Sequence, residues 1–157
     1  MFDFFYEKIE LHSPIVGKTV PLSKVNDPTF SKEMLGKGVA IVPAEGRVFA
    51  PANGIIGMVF DTKHAISMTT ESGVQLLIHV GLETVSLKGA PFKTHVRTGD
   101  RVKEGDLMME FNIDSIKKAN LDPITPVIIC NSYDYKKVTA HTGKDVSTND
   151  KVLTLKK

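Results

Sequence analysis

One histidine in an otherwise apolar, strand-like run offers the clearest chemistry in this chain. In residues 75–89, QLLIHVGLETVSLKG, the side chains of Val74, Leu76, Ile78, Val80 and Leu82 alternate onto one face. The two-residue period of a strand then sends His79 to the other face, with Gln75, Leu77 and Gly81. A second histidine, His64, opens the run HAISMT, and a glycine turn at Ser72-Gly73 lies close to the midpoint of the two. An antiparallel hairpin about that turn predicts that His64 and His79 face each other. Thr62, two residues before His64, is placed to hold its ring. His12, His95 and His141 lie among polar or turn residues, where a solvated imidazole is the default.

Two neutral imidazoles suit phosphoryl transfer. One ring nitrogen is a competent nucleophile near neutral pH. The other ring can donate a hydrogen bond to the equatorial oxygens, and backbone N–H groups near Gly81 can share the charge. No cofactor is required for such a step. The competing use is zinc held by His64 and His79, within a complex with a partner. Zinc catalysis usually takes a third protein ligand and an activating carboxylate, and the chain has neither H-x-H nor H-E-x-x-H.

Composition sets the frame for these residues. The chain has 157 residues, 41% of them hydrophobic and 24% charged, the profile of one soluble globular domain. A formal net charge of +2 excludes a field strong enough to hold nucleic acid unspecifically. The single cysteine, Cys130, permits no intrachain disulfide and indicates a reducing, cytoplasmic setting; its apolar neighbours predict a buried, inert thiol. No apolar run reaches membrane-spanning length. The opening MFDFFYEKIE is expected to pack its aromatic residues on the domain itself.

Short runs rich in Val, Ile and Leu, broken by Gly, Pro and Asn, predict an all-β chain. Helix is expected only as a turn over residues 31–35 and a short segment over 113–120, capped by Asp114 and Ser115. Repetition is also visible. Pro14-x-x-Gly17 recurs as Pro51-x-x-Gly54, and residues 99–111 align with 143–155, where Val102, Asp106, Met108 and Phe111 match Val146, Asp150, Val152 and Leu155. The prediction is an antiparallel β-sandwich of the barrel-sandwich hybrid type, with a duplicated motif. A likeness of Asp61-Thr62-Lys63 to the lysine turn of lipoyl carriers fails on spacing, because Thr62 separates the aspartate from the lysine.

The strings PANGIIGMVFDTKHAIS and GVQLLIHVGLETVSLKGAPF, with GDRVKEGDLMMEF and TPVIICN, resemble the glucose-type enzyme IIA domain of the bacterial phosphoenolpyruvate-dependent sugar phosphotransferase system. The resemblance runs from about Leu11 to the C-terminus, leaving residues 1–10 as an extension of a domain over 11–157. It implies that His79 takes phosphate at Nε2 from the carrier protein HPr and gives it to a cysteine on the IIB domain of a sugar permease. It implies that His64 stabilises the transferring group and that Thr62 orients His64. It also implies an apolar docking depression that includes Phe30, Phe60, Leu77 and Val85, and regulatory partners that sense the phosphorylation state. Glu83 stands where some relatives have aspartate, and Leu77 where phenylalanine occurs; both retune partner affinity. The segment before Leu11 is shorter than the amphipathic tail of some enteric members.

Overall fold

A computed structural model describes residues 8–157; the aromatic residues Phe2, Phe4, Phe5 and Tyr6 lie outside the described residues. Fourteen strands and two short helices are described: β1 (Lys8–His12), β2 (Gly17–Val20), α1 (Pro28–Ser31), β3 (Lys37–Pro43), β4 (Arg47–Phe49), β5 (Gly54–Val59), β6 (Ala65–Thr70), β7 (Gln75–His79), β8 (Phe92–Thr94), β9 (Arg101–Val102), β10 (Leu107–Phe111), α2 (Ile113–Lys118), β11 (Thr125–Ile129), β12 (Lys137–Ala140), β13 (Asp145–Val146) and β14 (Lys151–Lys156). Every pairing is antiparallel. Two three-stranded sheets, ordered β1-β14-β12 and β4-β10-β8, accompany an eight-stranded sheet ordered β13-β2-β3-β11-β7-β6-β5-β9. The fold is an all-β sandwich. Lys8, Ile9 and Glu10 pair with Lys156, Leu155 and Thr154. Those three residues therefore belong to the folded domain rather than to an extension.

The sequence repeat is a symmetry of the large sheet. Gly17 pairs with Val146 on one side, and Gly54 pairs with Val102 on the other. The loop bonds repeat as well: Gly143 N–H donates to Thr19 O and Gly99 N–H to Ile56 O, while Thr19 N–H donates to Lys144 O and Ile56 N–H to Asp100 O. Asp150 and Asp106 accept from the N–H groups of Ser147 and Lys103, each at 2.8 Å. Strand order mirrors these pairs outward from the β11·β7 seam. The two halves differ in how they continue. Residues 21–36 join β2 to β3 and carry α1, whereas residues 60–64 join β5 to β6 in a short turn.

Two apolar clusters follow. The main core lies between the sheets and includes Leu76, Ile78, Val80, Val39, Ile41, Met108 and Leu153, all at or near zero exposure. The smaller one, Leu22, Val25, Phe30, Ala40, Leu82, Ile124 and Ile128, with Leu77 against it, forms where residues 21–36 fold over the large sheet.

The first helix starts earlier than its sequence signal suggests, and the second starts at Ile113 as expected but ends at Lys118 and takes a different cap. Asp27 caps α1 by accepting from Thr29 N–H at 3.0 Å, and Pro28 sits at the first helical position, so the helix occupies 28–31 rather than 31–35. Asn112, not Asp114 or Ser115, caps α2. Cys130 corrects another expectation: it follows the last residue of β11 and is exposed. Partial burial still pushes its thiol above the usual range, which keeps it a weak nucleophile.

Candidate functional site

β7 alternates as its sequence requires. Val74, Leu76, Ile78 and Val80 are buried, while Leu77 and His79 are half-buried on the opposite face. The hairpin with β6 pairs Ala65 with His79 and Ile66 with Ile78, and Val80 N–H donates to His64 O at 2.8 Å. His64 thus stands one position out of register with His79, a departure from the face-to-face expectation. It precedes the first residue of β6 and follows Lys63, whose φ is 62°. There the regular alternation of side chains no longer applies. The two rings meet nonetheless, with centroids 4.8 Å apart and planes inclined by 79°.

Each ring is held at Nδ1. His79 Nδ1 lies 2.8 Å from the Gly81 carbonyl oxygen, which can only accept, so Nδ1 carries the proton and Nε2 keeps its lone pair. His64 Nδ1 lies 2.7 Å from Thr62 Oγ1. A Thr62 hydroxyl donating to that nitrogen leaves the His64 proton on Nε2. Aromatic rings flank the pair: Phe30 tilts against His79 at 5.1 Å and Phe60 meets His64 edge-on at 5.5 Å.

This environment favours neutral imidazoles. His64, only 4% exposed, has its pKa lowered to about 4 by burial and secondarily by a charge on His79. Burial also lowers that of His79, against opposing contributions from its bond to Gly81 and from the Asp27 carboxylate. Both rings are therefore uncharged at pH 7, one with a free nucleophilic nitrogen.

The remaining expected residues divide. Val85 is 52% exposed and Glu83 is exposed with a φ of 58°, so both reach the surface in the turn that follows His79 in the chain. Leu77 and Phe60 are half-buried at its edge. Phe30 is 4% exposed and belongs to the smaller apolar cluster, so it backs His79 rather than offering free docking surface. Gly81 has a different task from the one expected. Its N–H donates to Ile124 O at 3.0 Å and the next, Leu82 N–H, to Asp122 O at 2.9 Å. Those amides are engaged, and the contribution of Gly81 is its carbonyl.

Sequence reasoning missed two residues. Asp27 acts on His79 while lining a cleft with Leu82, Glu83 and Asp122, so that this cleft carries three carboxylates, one of which reaches the site. Its sequence signal was the Asp27-Pro28 pair that marks a helix start. Thr84 is fully buried, and its hydroxyl donates to Val80 O.

Among the described residues no group of three or more His, Cys, Asp or Glu side chains could hold a metal ion. With both Nδ1 atoms engaged, the histidine pair offers two ring nitrogens, and zinc takes four ligands. The described residues do not complete such a site. No helix of the described residues is long and apolar enough to cross a membrane.

Residues 9–135 match the family model described as phosphoenolpyruvate-dependent sugar phosphotransferase system, EIIA 1. Among solved structures the chain is similar to the glucose permease IIA from Mycoplasma capricolum, with 32% identity, 96% of this chain and 97% of that chain covered, and a TM-score of 0.88. With its antiparallel sandwich in agreement with that match, the chain belongs to the EIIA family of the sugar phosphotransferase system and is a phosphotransferase component of it.

Proposed function

We propose that His79 Nε2 accepts a phosphoryl group from the phosphohistidine of HPr and passes it to the cysteine of a permease IIB domain, in the cytoplasm. The observation that carries this reading is the bond from His79 Nδ1–H to the Gly81 carbonyl, which leaves Nε2 as the nucleophile. In the first transfer the P–N bond to the donor histidine breaks as the P–Nε2 bond forms. In the second, P–Nε2 breaks and a P–S bond forms on the cysteine thiolate. The His79 proton stays on Nδ1 throughout, so Nε2 returns to its starting state.

His64 stabilises the group in flight. With Thr62 donating to Nδ1, His64 Nε2–H can donate to an equatorial oxygen, and its low pKa keeps it from competing as a cation. Exposed Val85 and half-buried Phe60 and Leu77 supply apolar surface for docking, and the carboxylates of Asp27, Glu83 and Asp122 suit a basic HPr face. A zinc ion at His64 and His79 would take its remaining ligands from a partner.

The test is intact-protein mass spectrometry after incubation with phosphoenolpyruvate and the upstream components, under conditions that spare phosphoramidates. One phosphoryl group is expected on the wild type and none on His79→Ala; undiminished labelling of His79→Ala would sink the reading. A regulatory role follows from the same site. Phosphorylation puts a charge of roughly −2 onto an apolar docking face, so partners that bury this face should be retained by one form only in pull-downs.

A further inference from the structure

The tautomer of His79 depends on where the Gly81 carbonyl points, and two peptide planes decide that. The plane between Val80 and Gly81 is held at one end by Gly81 N–H donating to Ile124 O. At its other end the Thr84 hydroxyl donates to Val80 O. The following plane is held by Leu82 N–H donating to Asp122 O. In a trans peptide the carbonyl points opposite the N–H, so this third bond aims the Gly81 carbonyl away from Asp122 and toward His79. Thr84 supplies the only side chain among the three bonds. It is fully buried, and its Cγ2 sits 2.4 Å from where a Cβ on residue 81 would fall. The methyl thus occupies the space that glycine leaves, while the turn keeps Gly81 at a φ of +80°.

We propose that Thr84 is a positioning residue for phosphoryl transfer: by pinning the peptide between Val80 and Gly81 it fixes the plane from which the next peptide, held through Leu82 N–H, departs, so that the Gly81 carbonyl stays on His79 Nδ1 and the unprotonated Nε2 is presented to the donor. This rests on the reading of His79 as the acceptor. A histidine ring without such a partner prefers its proton on Nε2. Loss of the clamp therefore moves the lone pair to Nδ1, which faces the Gly81 turn and is out of reach of an incoming phosphoryl group.

Thr84→Val keeps the shape and removes the donor; Thr84→Ser keeps the donor and removes the methyl. Nitrogen-resolved NMR of the His79 ring in the unphosphorylated chain reads the tautomer without any partner, and the rate of acceptance from phosphorylated HPr is measured in parallel. Wild type and Thr84→Ser are expected to hold the proton on Nδ1. Thr84→Val is expected to show a mixture with the Nε2–H form and to accept phosphate about tenfold more slowly, the loss that follows when one neutral hydrogen bond stops favouring one tautomer. A role confined to stability would lower the unfolding midpoint and leave the tautomer of the folded protein unchanged. A folded Thr84→Val whose ring stays wholly in the Nδ1–H form overturns the proposal. If that variant does not fold, Thr84→Ala is read by the same criterion. A shifted tautomer in a protein whose wild type takes no label would refute the acceptor reading and leave the clamp on the ring intact.

Discussion

Acid should weaken this fold through His64 in particular. Its pKa is about 4 in the folded protein against 6.5 for an unperturbed histidine, with burial as the main cause. The unfolded chain therefore takes up a proton near pH 6.5 that the folded chain refuses until about pH 4. Stability from this residue is intact at pH 7 and above, and is lost as pH falls through that window. Between pH 7 and pH 5 the difference in proton binding amounts to about 2 kcal/mol, a sizeable share of the stability of a domain of this size. Replacing His64 with Gln removes the titration while keeping a polar side chain beside Thr62. Urea unfolding of both proteins at pH 7 and pH 5 isolates the effect, because His79 and every surface carboxylate remain in both. The wild type should lose about 2 kcal/mol more than His64→Gln over that interval. Equal losses would refute the account of His64 as a neutral ring kept so by burial.

Two further outcomes concern the same turn and ring. Gly81→Ala should cost about 2–4 kcal/mol, because the new Cβ would meet both a left-handed backbone and the Thr84 methyl at 2.4 Å; a urea midpoint within experimental error of the wild type would contradict this. His64→Gln should still accept phosphate on His79 but pass it to a IIB domain about 10²-fold more slowly, the usual effect of losing one donor to a transferring group; transfer at the wild-type rate in a stopped-flow assay would remove His64 from the mechanism.

Local periodicity made His79 legible and long-range pairing hid its supports. Strand parity alone put His79 on the open face, because Val74, Leu76, Ile78 and Val80 required the core. The glycine turn gave His64 as its neighbour despite an error of one register position, since the ring leaves the strand just where Lys63 takes a positive φ. The Gly81 N–H could not be assigned from its neighbours in sequence, because its acceptor, Ile124, comes from the connection that leads into β11. Burial of Phe30 was hidden for the same reason: Ile124 and Ile128, which help to cover it, belong to a distant segment. The repeat was readable from Gly17, Gly54, Val102 and Val146, whereas the division into three sheets depends on pairings such as β10 with β4 that no local pattern encodes.

Duplication of a half-sheet would ordinarily be expected to yield two sites, and this molecule has one. Following the paired registers across the β11·β7 seam, Ile41 corresponds to Met68, Thr125 to Leu76, and therefore Ile128 to His79. Ile128 is sealed at zero exposure beneath the connection that carries α1, while the short turn of the other half leaves His79 open and brings His64 to it. On the proposed reading of His79 as the acceptor, unequal loop length sets the stoichiometry at a single phosphoryl group per chain. The half in which Ile128 is sealed supplies the Phe30 wall that packs against the His79 ring of the other.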